Sequence, residues 1–197
     1  MEMSLLLSMA GFALAMSISP GPVNLVALGS GARYGFLASL RHVVGASLGF
    51  ILLLLLMGLG LGAALSQWPV VSGAIRWGGI LFLCYMAWQL VADKGELEEG
   101  GGVPPAFWYG ALMQWLNPKA WLAASMGMGV YGAVGGSGQM MLFTGIYLVI
   151  CLCSIACWAY VGSYLQGLLL SPVRLRWFNR AMALLLLLSA AYLMHSP

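Results

Sequence analysis

Apolar residues fill nearly the whole chain, and the polar or turn-forming residues that interrupt them fall at a few places. The first run, about Ser4 to Gly31, is broken inside by Ser19-Pro20-Gly21-Pro22. Proline lacks an amide donor and clashes with the preceding turn, and glycine loosens the backbone, so a helix cannot continue through this stretch. A turn at Arg33-Tyr34-Gly35 leads into a second run from Phe36, which carries Arg41, His42 and the small-residue face Gly45-x-x-x-Gly49. After Gly58, Gly60 and Gly62, a turn at Ser66-Gln67-Trp68-Pro69 opens a third run from about Val70 to Ala92. The polar stretch 93–103 reads as a linker. Pro104-Pro105 opens the fourth run, which breaks at Asn117-Pro118 and resumes to about Val130. A glycine-rich turn over 132–138, a fifth run from about Gln139 to Gln166, Ser171-Pro172, a basic turn with Arg174, Arg176 and Arg180, and a leucine-rich sixth run complete the chain.

At about 20 residues per crossing, this pattern predicts an all-α polytopic membrane protein of about six transmembrane helices with broken first and fourth helices. Pro118 follows Pro20 by 98 positions, and Arg176-Trp177 follows Arg76-Trp77 by 100. The chain therefore reads as a single transporter domain, 1–197, built from two halves, 1–92 and 104–197, on either side of the linker. Three spans per half force the second half to run the opposite way, which makes the repeat inverted. Irregular backbone at membrane depth is tolerated only where protein or a wet cavity covers it, so two breaks in matching places predict a substrate site between them.

Composition narrows the class. With 62% hydrophobic residues, 7% charged and a mean hydropathy of +0.95, the bilayer is the solvent. The net charge of +3 comes without a basic cluster interleaved with aromatics, so no nucleic-acid partner is expected. Arg33, Arg41, Lys94, Arg174, Arg176 and Arg180 fall on one side under six spans, against Arg76 on the other. That bias places the linker in the cytoplasm and both termini outside. No basic segment with a cleavage pattern precedes the first run, which reads as a retained span. Cys84, Cys151, Cys153 and Cys157 lack CxxC spacing and neighbouring histidines. They read as small buried hydrophobes, with no metal and no cofactor expected.

The candidate substrate-binding residues are Ser19, Pro20, Gly21, Pro22 and Asn24 at the first break and Asn117, Pro118 and Lys119 at the second. The half-helix starting near Val23 offers unpaired amides and a positive dipole end to a carboxylate, while carbonyls of Ser17 to Ser19 are placed to face an ammonium. Lys119 is the one charge placed deep in the membrane, with no acid at that depth to pair with, and so marks a functional site. Absence of such acids also favours a small neutral substrate over a dibasic one. His42 is expected at the cytoplasmic interface and His195 at the chain terminus, with His42 second to Lys119 as a candidate for proton coupling. Gln114, Tyr85, Trp88 and Gln89 are further candidates to line a cavity.

Without an ATP-binding loop, energy must come from gradients. Two distant histidines and no intramembrane acid argue against an enzyme. A non-catalytic helical subunit or a channel is the alternative, though the chain has neither a filter loop nor rings of charge. The partners expected are a small-molecule substrate and the lipid bilayer, and the pattern is compatible with a homo-oligomer.

Ser-Pro-Gly-Pro in the first run and Leu116-Asn117-Pro118-Lys119-Ala120-Trp121 in the fourth closely resemble the LysE/RhtB family of amino-acid exporters, over the whole length of the chain. Tyr34-Gly35-Phe36, Gly45 to Phe50, Met86-Ala87-Trp88 and Cys157-Trp158-Ala159 resemble most the branch exporting cysteine and O-acetylserine. The resemblance implies a bacterial inner-membrane protein that moves small amino acids or related metabolites outward. Many relatives carry an acid in the second span near Ala46 or Ser47, and this chain has none there. A coupling role for that acid does not transfer to this chain.

Overall fold

The structure, a computed structural model, describes residues 3–92, 104–132, 136–169 and 171–195. The linker 93–103 lies outside the described residues, and so do all five acids of the chain, Glu2, Asp93, Glu96, Glu98 and Glu99. The described residues are all-α: α1 (Met3–Ile18), α2 (Pro22–Tyr34), α3 (Phe36–Leu56), α4 (Gly62–Ser66), α5 (Pro69–Ala92), α6 (Phe107–Trp115), α7 (Pro118–Gly127), α8 (Gly136–Leu169) and α9 (Pro172–His195). Short π-helical turns, Met57–Leu61 and Met128–Gly132, extend α3 and α7. Within the first, Gly60 takes φ 106°, a conformation that favours glycine and kinks the helix in the middle of the glycine run.

This is a polytopic membrane protein. Phe36–Ser66, Pro69–Ala92 and Gly136–Leu165 are long and apolar enough to cross a bilayer, and α1 with α2 is long and apolar enough when taken as one pair, bent by 62° at its break. Helix boundaries follow the sequence punctuation closely. Prolines start α2, α5, α7 and α9 at a position where a missing amide costs nothing, and Gly35, at φ 83°, separates α2 from α3. Only α6 starts later than expected, at Phe107, because Ala106 stays extended after the two prolines.

Packing relies on close backbone approach, since lipid tails give no hydrophobic drive between helices. The expected face at Gly45 and Gly49 receives α6: a Cβ at Gly45 would lie 2.0 Å from the Phe107 carbonyl oxygen, and one at Gly49 would lie 2.7 Å from Ala111 Cα. A second seam joins α2 to α8, where a Cβ added at Gly31 would run into the Ala159 carbonyl oxygen and one added at Gly162 into that of Leu28. Helices α5 and α9 pair with each other and touch the rest of the bundle sparsely. Between α1, α3, α8 and the turn after α7, the rings of Phe12, Phe50, Tyr131, Phe143 and Tyr147 stack into a continuous block.

Two expectations are corrected. His42, expected at an interface, is fully buried. Gly110 has no side chain to hold α6 off, and a Cβ there would lie 2.4 Å from the His42 carbonyl oxygen, so α6 closes over the imidazole. Of the cysteines only Cys151 is buried, while Cys84, Cys153 and Cys157 face outward from the bundle. An apolar run in a membrane carries no polar stripe to reveal which face points inward. The side chain of His195 lies outside the described residues.

Candidate substrate site

The two breaks lie against each other at mid-bundle. At the first, Ser19, Pro20 and Gly21 are non-helical, so the last carbonyls of α1 lose their intrahelical donors. Each is reclaimed by a side chain. Ser19 Oγ donates to the Ala15 carbonyl at 2.8 Å, and Asn24 Nδ2 donates to both the Ser17 and Ser19 carbonyls at 2.9 Å. Trp158 Nε1 on α8 donates to the Ile18 carbonyl at 3.0 Å. Lys119 Nζ, arriving from α7, donates to the Ser19 carbonyl at 2.6 Å and to the Pro20 carbonyl at 3.5 Å.

Lys119 thus places its ammonium on the negative end of α1. Among the described residues no acid stands beside it, and backbone oxygens fill the partner's role. Of the carbonyls expected to face a substrate ammonium, that of Ser19 already holds a protein ammonium, while those of Ser17 and Ile18 accept from Asn24 and Trp158. The amides tell the opposite story: the N-cap of α2 is Gly21, which offers no side-chain acceptor, so the Val23 and Asn24 amides have no acceptor within α2.

The second break is shorter and better satisfied. Asn117 is the N-cap of α7, its side chain accepting from the Lys119 amide at 3.1 Å, and its Nδ2 donates to Gln114 Oε1 at 3.4 Å. Trp121 Nε1 donates to the Trp115 carbonyl at 2.8 Å, bridging the gap between α6 and α7. Pro118 wedges against Gly79 of α5, where a Cβ would lie 2.4 Å from the proline ring.

Two cavities flank the Gly21–Lys119 contact. A more polar one of about 40 Å³ is lined by Gly21, Asn24, Gln114, Asn117 and Lys119 together with Ser17, Phe50, Tyr147 and Cys151. At roughly 10–15 Å³ per water it has room for a few waters and is too small for an amino acid. An apolar one of about 360 Å³ runs from Pro20, Pro22 and Lys119 toward Leu188, Ser189 and Tyr192 at the end of α9. A third, of about 290 Å³, opens at the opposite, basic end beside Arg33, Gln89, Tyr109 and Asn179. Leu25 borders both larger cavities.

The structure therefore brings Ser19, Pro20, Gly21, Pro22, Asn24, Asn117 and Lys119 to one place, with Pro118 fixing the second break behind them. Gln114 joins the polar cavity and Gln89 the basic-end one, where Gln89 Nε2 donates to the Tyr85 hydroxyl at 2.6 Å. Tyr85 and Trp88 are exposed on the outer face of α5. His42 lines none of the three cavities. Its Nε2 lies 3.3 Å from the Val23 carbonyl, behind the first turn of α2. Tyr147 and Cys151, on α8, were not legible in the sequence because nothing in that apolar run marks the face that turns inward.

The chain is similar to the cysteine/O-acetylserine efflux protein of Escherichia coli strain K12, 25% identical over 185 residues covering 92% of this chain and 91% of that one. It is 26% identical to the protein of the same name from Escherichia coli O139:H28 over 183 residues, covering 91% and 92% of the two chains. It is 25% identical to that from Salmonella typhimurium over 159 residues, covering 79% and 80%. No solved structure matches. The LysE type translocator family model matches residues 14–197, and the chain, with its two facing helix breaks, belongs to that family.

Proposed function

We propose that this protein is a secondary exporter of small neutral amino acids or related metabolites across a bacterial inner membrane, working by alternating access and coupled to protons. The observation that carries this reading is the Lys119 ammonium seated on the Ser19 carbonyl, 2.6 Å away, beside an uncapped helix N-terminus. A zwitterion needs an acceptor cluster for its ammonium and a donor cluster for its carboxylate, and the first break supplies both within one turn of chain. The relatives named as cysteine/O-acetylserine efflux proteins support the substrate class.

In this reading the substrate ammonium takes the carbonyls that Lys119 holds, and Lys119 releases its proton as it is displaced. Binding of proton and substrate is then mutually exclusive, which is the condition for antiport. Co-binding would carry protons outward with the substrate, against the usual gradient. The cavities at the two ends, meeting at Leu25, serve as the vestibules, and the six-span inverted repeat with both termini outside supplies the two orientations.

Counterflow of labelled cysteine in vesicles tests the function. Saturable trans-stimulation, inhibited by O-acetylserine and not by lysine or arginine, is the expected result. Absence of trans-stimulation across small neutral amino acids would favour the accessory-subunit reading. The topology has its own test: cysteine introduced at Lys94 should be labelled only from the cytoplasm and cysteine at Gly136 only from outside. Labelling of both from one face would remove the inverted repeat.

A further inference from the structure

The structure assigns a second binding site for the substrate's zwitterionic amino-acid group to the cavity at the basic end, with Asn179 of α9 as its hydrogen-bonding residue and Arg33 of α2 as the charge that draws the carboxylate. This rests on the exporter reading above and puts a waiting position on the route to the breaks. The cavity holds about 290 Å³ and lies between α2, α5, α6 and α9. That is close to the lower end of the range for small-molecule pockets, about 300 Å³ and upward, and several times the more polar space at the breaks.

Asn179 carries the assignment. It stands in the apolar company of Leu175, Phe178 and Met182, is 5% exposed, and lines the cavity, yet its side-chain amide makes no hydrogen bond among the described residues. A buried amide without a partner is costly and uncommon, and a leucine would fill the same place without that cost. Unlike His42 Nδ1, which is sealed in the packing, the polar atoms of Asn179 keep accessible surface. An amide offers a donor to a carboxylate and an acceptor to an ammonium. The Arg33 guanidinium lies over the Tyr34 ring, 5.8 Å from its centroid, and both residues line the same cavity. Its planar fork matches a carboxylate. Met86, Leu90 and Phe178 add apolar surface for a small side chain. Leu25 lines this cavity and also the one that reaches Lys119, so a zwitterion held here is one step from the first break. The far cavity has no spare amide of this kind: Ser189 there donates to the Leu185 carbonyl at 2.9 Å, and Asn117 and Lys119 are engaged at the breaks.

The test is the half-saturation of cysteine counterflow from each face, measured in right-side-out and inverted membrane vesicles. Labelling of cysteine introduced at Lys94 shows which preparation presents the basic end to the medium. In Asn179→Ala, the half-saturation concentration at the basic end divided by that at the opposite face should rise about three- to ten-fold, the loss of one hydrogen bond. Arg33→Gln should raise the same ratio, and Arg33→Lys, which keeps the charge, should raise it less. A residue that only packs α9 would weaken both faces together or lower only the maximal rate. Either result, or an unchanged ratio in both variants, overturns the site. A ratio that follows the anionic lipid content of the vesicles gives the cavity to a lipid headgroup and overturns it as well. Should Asn179→Ala fail to insert, Arg33→Gln, at an exposed residue, carries the comparison alone. A wild-type protein that shows no counterflow of any small neutral amino acid defeats the exporter reading itself, which separates the two failures.

Discussion

The two helix breaks occupy matching places in the two halves and do opposite things. The first leaves three residues out of helix, bends its halves by 62° and ends on a glycine that caps nothing. Its carbonyls are gathered by donors from three other segments, and its amides are left open. The second leaves two residues out, caps its own restart with Asn117, and bridges its own gap with Trp121. A break that satisfies itself is a support, and a break that borrows its partners is a site. Here the support delivers Lys119 to the site. The breaks are matched in sequence spacing and differ in local chemistry, the second carrying Lys119 onto a carbonyl of the first.

The sharpest way to break this comparison is to heal the first helix. Replacing Pro20, Gly21 and Pro22 together by alanine restores helix propensity through the gap and closes the open amides. Transport should be abolished while the protein still inserts. Export at the wild-type rate from this variant would reduce the first break to an ordinary proline kink.

Stability should follow the same asymmetry. Asn24→Ala strands the Ser17 carbonyl and takes one of two donors from that of Ser19, which keeps Lys119, and should cost about 2 kcal/mol. Asn117→Ala removes the N-cap bond and the long 3.4 Å bond to Gln114 Oε1, and should cost about 1 kcal/mol. Thermal unfolding in detergent checks the order, and a larger loss at Asn117 would reverse the roles assigned to the two breaks.

The smaller contrast lies in the packing glycines. Gly45 and Gly145 are 100 positions apart, yet only Gly45 sits against a neighbouring backbone, and Gly145 faces open space. Gly45→Ala should destabilise by about 1–3 kcal/mol through overpacking of α3 on α6. Gly145→Ala should be neutral or slightly stabilising, as expected for alanine in an open helix position. Equal costs at the two positions would mean that the halves pack more symmetrically than they do in this conformation.

What could be read from the sequence follows from how each feature is encoded. Pro20, Pro22 and Pro118 impose their breaks locally whatever surrounds them, so the breaks, the start of α5 at Pro69 and the site residues beside them were legible. Lys119 was legible because a charge in an apolar run stands out. Its partner was not, since backbone carbonyls have no signature in sequence and only the bend of α1 against α2 aims them at α7. The inward faces of α3 and α8 were also hidden: His42 became buried through a glycine 68 positions away, at Gly110. Tyr147 and Cys151 turn inward along a helix whose every face is apolar.

The central claim is that Lys119 and the substrate compete for the carbonyls of the first break. Efflux of cysteine from vesicles with an imposed pH gradient tests it most directly. Acid on the side that receives the substrate should accelerate efflux, because a proton returning to Lys119 displaces the substrate ammonium and resets the carrier. In Lys119→Met the acceleration should vanish. A variant that keeps both efflux and its full response to the gradient would contradict the claim and leave the proton to another group, with His42 behind the first turn of α2 as the next to test.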